Sequence, residues 1–214
     1  MDDKLNIISL NRKAWNNVAE KYNDAKYNSL NPLVEYFCAE LPKNGYILDL
    51  GSGTGLPFAE LFIKKGFNYL GVDISSQMVK IAQKNVPSAN FKELSMTDLK
   101  IENEFDGVCS SYAMLLLTPQ LFKDVANKIV KSLKKDGLFY ISLNAPRVKG
   151  MDLDKDVICE IMGEKMYSRA YTEEEVLNVF PPLGLKCLKK YREVQNSEEF
   201  GIEHMIVFVF RKIE

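Results

Sequence analysis

Residues 46–55 read Tyr-Ile-Leu-Asp-Leu-Gly-Ser-Gly-Thr-Gly, and an apolar run over residues 56–65 follows them. The first five residues are typical of a buried strand, and the run after the glycines is typical of a helix. Alternating glycines between a strand and a helix let a ligand approach the backbone N–H groups at the helix N-terminus. The stretch therefore predicts a strand–loop–helix unit with a site for a nucleotide-like ligand at its loop.

The spacing of Gly51, Gly53 and Gly55 indicates which nucleotide-like ligand fits. The dinucleotide fingerprint needs its third glycine at the position of Leu56, and a P-loop needs a Gly-Lys-Ser/Thr that is missing here. Asp49, just before the glycines, would repel a pyrophosphate but attract an ammonium group. These features favour an adenosine-containing cofactor that carries an ammonium group. A glycine-rich turn without a ligand is the alternative.

Strand-like and helix-like segments alternate along the rest of the chain. Strands are predicted at 67–73, 90–94, 105–112, 138–143, 186–194 and 204–211, with helices at 5–22, 121–133 and from the capping box at Thr172 to Phe180. A further helix is predicted to start at Asn31-Pro32, and Lys135-Asp136-Gly137 is predicted to be a turn. This alternation predicts an α/β fold with a doubly wound sheet that binds ligands at the carboxyl ends of its strands.

Two carboxylates are placed to recognise an adenosine. Asp73 ends the second predicted strand, 22 positions after Gly51, where a carboxylate accepts hydrogen bonds from ribose hydroxyls. The alternative for Asp73 is an N-cap of the helix that begins near Ser75. Asp98 lies in the polar turn after the third strand and is placed to accept a hydrogen bond from an adenine amino group, with a plain Asx-turn as the alternative.

In this order, these residues resemble the class I S-adenosylmethionine-dependent methyltransferases. Residues 49–55 are similar to the family's first motif, and residues 73–82, Asp98 and the strand at 105–112 match later positions. The resemblance spans roughly residues 12–211. It implies a Rossmann-like seven-stranded sheet, mostly parallel with an antiparallel C-terminal hairpin. It also implies an enzyme that uses S-adenosylmethionine and transfers its methyl group by in-line displacement.

The resemblance implies one domain over residues 1–214, with a helical cap at 1–44 and a substrate lid at 144–171. The implied cofactor-binding residues are Tyr22, Asp49, Gly51, Ser52, Gly53, Thr54, Gly55, Asp73, Ile74, Met78, Thr97, Asp98, Ser110 and Ser111. The implied substrate-binding residues are Tyr27, Tyr112, Arg147, Tyr167 and Arg169. Trp15, in the helical cap, is expected to be a core residue.

The predicted lid combines cationic and apolar side chains. Arg147, Lys149 and Arg169 carry positive charge, and Tyr167 and Tyr171 add apolar surface. This mixture suits a small substrate with an apolar body and an anionic group, since a guanidinium can hold a carboxylate with two hydrogen bonds. The alternative is that these cations are only solvated.

No catalytic base is assigned from the sequence, because a base is required only if the nucleophile starts protonated. Tyr112, Tyr167, Asp106 and His204 are the candidates. Leu115 and Leu116 occupy positions where many members of the family carry polar or histidine residues, which argues against a histidine base there. Two other functions stay open, namely a noncatalytic protein that binds the same cofactor and an oxidoreductase with a nucleotide cofactor.

Composition limits the partners of the chain. The 28 Lys and Arg residues balance 29 Asp and Glu residues, so the chain offers no general attraction to nucleic acid, and a small-molecule substrate is expected. Four scattered cysteines and a single histidine argue against a zinc site and favour free thiols in a reducing compartment. No apolar run approaches the ~18 residues of a membrane span. A soluble, cytoplasmic protein without a metal is expected.

Overall fold

The computed structural model describes residues 2–25, 30–146, 158–197 and 201–213. The helices are α1 (Asp2–Asp24), α2 (Pro32–Glu40), α3 (Phe58–Lys64), α4 (Ser76–Asn85), α5 (Pro119–Ser132) and α6 (Glu173–Val179). The strands are β1 (Tyr46–Leu50), β2 (Asn68–Asp73), β3 (Asn90–Glu93), β4 (Phe105–Ser111), β5 (Leu133–Asn144), β6 (Ile158–Ile161), β7 (Glu164–Tyr167), β8 (Leu185–Ser197) and β9 (Gly201–Lys212).

Seven strands form one sheet in the order β3-β2-β1-β4-β5-β9-β8, and β6 and β7 form a separate hairpin. The pairs among β1 to β5 are parallel, whereas β9 runs antiparallel to both β5 and β8. The predicted α/β class, the seven strands and the antiparallel C-terminal hairpin are therefore confirmed. Among the helices in the described ranges, none is long and apolar enough to cross a bilayer.

Both faces of the sheet are covered, which explains why its central strands are continuously apolar. Alternate residues of β1 point to opposite faces: Ile47 packs with Phe37 of α2 and Phe62 of α3, whereas Leu48 packs in the cluster that contains Phe122 of α5. Helix α1 packs on α4, where its Ala19 contacts Met78 and Ile81. This contact holds α1 close to the carboxyl ends of the first strands.

Two local expectations need correction. The predicted turn at Lys135-Asp136-Gly137 lies inside β5, which begins at Leu133 and shifts register against β4 between Phe105 and Gly107. Asp136 has a left-handed φ of 62° there, so the segment is a β-bulge within a continuous strand. The helix after the glycine loop begins at Phe58 and not at Leu56, because residues 51–57 continue as turns.

The hairpin of β6 and β7 was not predicted. Met162 and Gly163 connect its strands with φ values of 54° and 90°, the left-handed pair that a two-residue hairpin turn needs. Each strand has only four residues, too few to show a clear alternation of apolar and polar side chains. The hairpin lies within the predicted lid, and Asn17 of α1 donates a hydrogen bond of 3.1 Å to Glu164 of β7.

Candidate functional site

The glycine loop leaves open space where a ligand can reach the backbone. Gly51, Gly53 and Gly55 have φ values of 76°, 52° and 78°, which favour glycine. A Cβ atom on Gly51 would lie 2.2 Å from the Cβ of Ala113, so this glycine permits close packing against the loop after β4. On Gly53, a Cβ would meet only the Tyr22 ring, at 3.9 Å. The Gly53 side of the loop therefore faces a cavity.

Asp73 joins the end of β2 to this loop. Its Oδ2 accepts a hydrogen bond of 2.9 Å from the Gly53 N–H, and its Oδ1 accepts one of 2.8 Å from the Ser75 N–H. Burial raises the pKa of the Asp73 carboxyl to about 6, and these backbone hydrogen bonds oppose the rise. A carboxylate has about four acceptor positions, so both oxygens can still accept bonds from a ligand.

The helix cap of α4 is Ser75 and not Asp73. The Ser75 Oγ accepts a hydrogen bond of 3.1 Å from the Met78 N–H and donates one of 2.7 Å to Asn16 of α1. The alternative proposed for Asp73 from the sequence is therefore wrong. The Asp73 carboxylate instead accepts the hydrogen bond from the Gly53 N–H and lines the cavity.

The first cavity lies at the carboxyl ends of β1 to β4 and beneath α1. Its empty volume of about 780 Å³ includes space that is open to solvent. Its lining comprises Ile8, Asn11, Trp15, Tyr22, Gly51, Gly53, Asp73, Ile74, Met78, Leu94, Ser95, Met96, Ser111, Tyr112, Ala113, Leu116 and Leu117. The structure thus brings together seven of the predicted cofactor-binding residues: Tyr22, Gly51, Gly53, Asp73, Ile74, Met78 and Ser111.

The other predicted cofactor-binding residues lie outside this lining: Asp49, Ser52, Thr54, Gly55, Thr97, Asp98 and Ser110. Several have structural contacts instead. The Ser110 Oγ donates to the Leu50 carbonyl at 3.3 Å, and the Thr54 carbonyl accepts a bond of 2.9 Å from Asn85. A Cβ on Gly55 would lie 2.9 Å from the Phe91 ring. These residues support the glycine loop on the side that faces away from the cavity.

Asp49 is buried on the face of the sheet that α3 covers, where it is only 3% exposed. The Tyr69 hydroxyl of β2 donates a hydrogen bond of 2.8 Å to its Oδ2. Burial raises the pKa of Asp49 to about 7, with a further contribution from the negative charge of Asp73, while the Tyr69 hydrogen bond opposes the rise. The expectation of direct contact with an ammonium group is corrected: the carboxyl lies behind the loop, bonded to Tyr69.

The polar turn after β3 is a short 3-10 helix, Met96–Asp98, whose cap is Ser95. The Thr97 N–H donates to the Ser95 Oγ at 3.3 Å, whereas the Asp98 side chain is exposed. Leu94, Ser95 and Met96 line the cavity in place of the predicted pair Thr97 and Asp98. The Asx-turn alternative for Asp98 is wrong, because Ser95 makes the capping bond, whereas the cofactor-binding roles of Thr97 and Asp98 stay predictions.

From α1, the sequence predicted only Tyr22 as a cofactor-binding residue and missed Ile8, Asn11 and Trp15. Ile8, Asn11, Trp15 and Tyr22 all line the cavity, and their spacing of three, four and seven residues places them on one face of the helix. Trp15 was expected to be a core residue; it packs against the cluster of Ala19, Met78 and Ile81 and also lines the cavity. The Trp15 Nε1 is buried and has no acceptor among the described residues. The Trp15 and Tyr22 rings meet edge to face with centroids 5.5 Å apart.

A second cavity, of about 480 Å³, adjoins the first. Its lining comprises Trp15, Tyr22, Tyr112, Leu115, Leu116, Asn144, Ile161, Ser168 and Glu203. Tyr112 lies between the two cavities with a left-handed φ of 53°, a conformation that tyrosine rarely adopts outside functional or strained sites. Its N–H donates to the Ser142 carbonyl at 3.1 Å, which fixes that conformation.

Among the predicted substrate-binding residues, Tyr112 lines both cavities, whereas Arg169 and Tyr167 line neither. Arg169 is 6% exposed, pairs with Glu175 and lies 4.6 Å above the Tyr171 ring, so it packs the segment after β7 onto α6 and lines neither cavity. Tyr167 is buried, and its backbone bonds to Asn11 at 2.8 and 3.1 Å. These two expectations are corrected.

Three further expectations, Tyr27, Arg147 and Lys149, lie outside the described residues.

Of the four candidate bases, Tyr112 alone lines the cavities. Asp106 accepts hydrogen bonds from the Tyr46 N–H and from Lys134, at the amino end of β4. His204 pairs with Val194 in the terminal hairpin. Within the part of the chain that the structure describes, no cluster of His, Cys, Asp or Glu could hold a metal ion.

Comparison with known proteins places the chain among related sequences. A family model described as a methyltransferase domain matches residues 47–137, which run from β1 into β5. A Geobacillus sp. protein that is named as a methyltransferase is 31% identical over 132 residues, 58% of this chain and 53% of the relative. The chain spans about half the length of that relative.

Two other proteins match over more of the chain. A carboxy-S-adenosyl-L-methionine synthase of Sulfurimonas denitrificans is 28% identical over 86% of this chain and 81% of that protein. In structure, the chain is similar to a 1,6-didemethyltoxoflavin-N1-methyltransferase of Burkholderia thailandensis, solved with its substrate and S-adenosylhomocysteine. The TM-score is 0.76 at 18% identity, over all of this chain and 92% of the other. At this identity, the likeness shows the fold alone.

Proposed function

We propose that this chain is a class I S-adenosylmethionine-dependent methyltransferase that binds this cofactor and methylates a small molecule. The methyltransferase-domain match over residues 47–137 and the seven-stranded sheet support this proposal. The observation that carries the proposal is Asp73, which lines the first cavity while its carboxylate holds the N–H of Gly53. A carboxylate at the end of β2 that accepts a hydrogen bond from a glycine N–H of the loop is well placed to bind the ribose of an adenosine that lies across the loop.

The residues of the first cavity suit this cofactor. Asp73 offers free acceptor positions, and Leu94, Met96 and Met78 offer apolar surface for a base. Trp15 offers a buried N–H that has no acceptor among the described residues. In the described lining of this cavity there is no lysine or arginine, which disfavours the pyrophosphate of a dinucleotide.

When bound, S-adenosylmethionine supplies an electrophilic methyl group on a sulfonium. The residues of this chain then act by positioning, which accounts for much of the rate in reactions of this kind. Tyr112 and Leu116 belong to both cavities and so lie where cofactor and acceptor meet. Leu115 and Trp15 add apolar surface that excludes water. No side chain has to form a covalent bond.

The domain organisation is part of this proposal. Residues 1–44 act as a helical cap, supported by the four residues of α1 in the cavity lining. Residues 144–171 act as a substrate lid, supported by Asn144, Ile161 and Ser168 in the second cavity. The four cysteines carry free thiols, which supports a reducing compartment such as the cytoplasm.

A second candidate is synthesis of a carboxylated cofactor, because the Sulfurimonas denitrificans relative matches over most of its length. A product with an additional carboxylate on its sulfonium arm would need a cation beside it. No lysine or arginine lines either cavity within the described ranges. This observation favours methyl transfer over the second candidate.

The test is a screen of small metabolites with S-adenosylmethionine that is labelled in its methyl group. We expect label in at least one acceptor and formation of S-adenosylhomocysteine in equal amount. A carboxylated form of the cofactor, with no labelled acceptor, would favour the second candidate. Binding of the cofactor without any product would favour a noncatalytic protein.

A further inference from the structure

Helix α1 is joined by hydrogen bonds to the wall of the first cavity. The Asn16 side chain accepts a bond of 2.7 Å from the Ser75 Oγ, and the Ser75 N–H donates to the carboxylate of Asp73. Earlier in the same helix, Asn11 lines the first cavity and is only 5% exposed. Helix α1 therefore connects the Asp73 region with the groups that Asn11 binds.

The Asn11 amide binds three backbone groups at once. Its Nδ2 donates to the carbonyl oxygens of Leu116 and Tyr167, at 3.1 Å each, and its Oδ1 accepts a bond of 2.8 Å from the Tyr167 N–H. Both N–H groups of the amide are therefore used. Because these partners lie 105 and 156 positions away in sequence, one buried side chain joins α1 to the loop after β4 and to the end of β7.

The loop after β4 is held through three successive carbonyl groups. The Leu115 carbonyl accepts a bond of 3.0 Å from a backbone N–H of the segment after β7, and the Leu117 carbonyl accepts one of 3.1 Å from the Tyr171 hydroxyl. Between them, the Leu116 carbonyl accepts its bond from Asn11. The side chain of Leu116 lines both cavities, so the Asn11 bond helps to set the boundary between them.

Other polar contacts between α1 and the β6–β7 hairpin lie at the surface. Asn17 donates to Glu164 at 3.1 Å, and the Lys21 Nζ donates to the Met162 carbonyl at 3.4 Å, and both bonds are exposed. Water competes for exposed groups, whereas a buried hydrogen bond is stronger because the local dielectric is low. The buried bonds of Asn11 therefore make the stronger polar connection.

We propose that Asn11 is a positioning residue for methyl transfer, through which occupation of the first cavity fixes Leu116 and the β6–β7 hairpin in place. This inference rests on the proposed function, under which the methyl acceptor lies in the second cavity. A ligand in the first cavity meets four residues of α1, so it favours the state in which α1 covers it. Asn11 extends that preference to the hairpin, whose Ile161 lines the second cavity. Cofactor binding thereby completes the wall of the acceptor site.

Hydrogen exchange tests this coupling without turnover. Exchange of the backbone amides of residues 158–167 is measured with and without saturating S-adenosylhomocysteine. The readout is the ratio of the two exchange rates, because a loss of stability alone accelerates exchange in both states. In the parent, S-adenosylhomocysteine should slow this exchange about fivefold or more, the scale of a coupling between two sites. In Asn11→Ala the effect should fall below about twofold, while the glycine loop at 51–55 is still slowed.

Three further variants separate positioning from stability. Asn11→Asp has nearly the same size and keeps an acceptor for the Tyr167 N–H but loses both amide N–H groups, so it should lose the coupling as well. Asn17→Ala removes an exposed bond between the same helix and hairpin. Asn31→Ala removes another buried amide, which donates to the Tyr140 hydroxyl at 2.7 Å and lines neither cavity. Both controls should keep the ratio of the parent.

Equal ratios in the parent and the Asn11 variants would overturn the inference, and so would an equal loss in either control. If Asn11→Ala weakens S-adenosylhomocysteine but keeps the ratio of the parent, Asn11 is only a cofactor contact and the inference is wrong. A parent that binds S-adenosylhomocysteine with no change in hairpin exchange overturns the inference and leaves the proposed function standing. No binding of S-adenosylhomocysteine in calorimetric titration overturns both, so the two failures are distinguishable.

Discussion

The Gly53 N–H donates a hydrogen bond of 2.9 Å to the Oδ2 of Asp73, and both residues line the same cavity. This bond joins the loop after β1 to the end of β2, although 20 positions separate the two residues in sequence. The carboxylate therefore fixes the shape of the glycine loop and also faces the ligand. Loss of the carboxylate should disturb both functions together.

Asp73→Ala should weaken binding of S-adenosylhomocysteine by about 1.5–3 kcal/mol, the scale for losing hydrogen bonds to a charged acceptor. Calorimetric titration measures this change. Glu102→Ala is the matched control, because the Glu102 side chain is exposed and lies outside the cavity lining. An unchanged dissociation constant in a folded Asp73→Ala protein would leave Asp73 a purely structural role.

Gly51→Ala should destabilise the protein far more than Gly163→Ala. Both glycines have a left-handed φ, which costs about 1–2 kcal/mol for a residue with a side chain. At Gly51 the new Cβ would also lie 2.2 Å from Ala113, whereas at Gly163 nothing lies within 4 Å. Urea denaturation should show a further loss of about 1–3 kcal/mol at Gly51. Equal losses would mean that the loop moves away from Ala113 freely.

The unliganded protein should lose stability as the pH rises from about 4 to about 7. Burial raises the pKa of Asp49 to about 7 and that of Asp73 to about 6, well above the usual range of an aspartate carboxyl. In this range the folded state binds more protons than the unfolded state, so stability is present at low pH and is lost as the pH rises through the folded pKa values.

Asp49→Asn isolates the larger of these two contributions. Its free energy of unfolding should fall less than that of the parent between pH 4.5 and pH 7.5, by about 1–4 kcal/mol. Denaturant unfolding at the two pH values measures the difference. The same slope in Asp49→Asn and parent would mean that Asp49 titrates normally in the folded protein.

Arg169→Ala should lower the free energy of unfolding by about 1–3 kcal/mol, because it leaves Glu175 without its partner and removes the contact with Tyr171. Thermal and denaturant unfolding measure this loss, and S-adenosylhomocysteine affinity should stay near that of the parent. Arg192→Ala is the control: this arginine also pairs with a glutamate but is 73% exposed, and its loss should cost less than about 1 kcal/mol. A stable Arg169→Ala protein with defective turnover would restore the role first expected for Arg169.

The sequence predicted the sheet well because strong local signals determine it. The apolar strands, the glycine loop at 51–55 and the strand end at Asp73 leave few alternatives for the topology. Asp73, Gly51 and Gly53 were placed correctly in the cavity lining because loops at the carboxyl ends of parallel strands meet.

The same signals do not say which way a buried polar side chain faces. Asp49 points to the α3 side because the two faces of β1 alternate, and its partner Tyr69 lies on another strand. Trp15 belongs to a stripe whose spacing is the same for a core face and for a cavity wall. Arg169 pairs with Glu175, a contact that depends on how the segment after β7 packs. Such contacts are tertiary and leave no local pattern.

Calorimetric titration of the purified protein with S-adenosylhomocysteine and, separately, with NAD tests the central claim most directly. The claim is that the cavity at the glycine loop binds an adenosyl sulfonium cofactor through Asp73 and the backbone at Gly53. The account predicts a single site for S-adenosylhomocysteine, weakened in Asp73→Ala, and no heat of binding with NAD. Tight binding of NAD with no response to S-adenosylhomocysteine would contradict it.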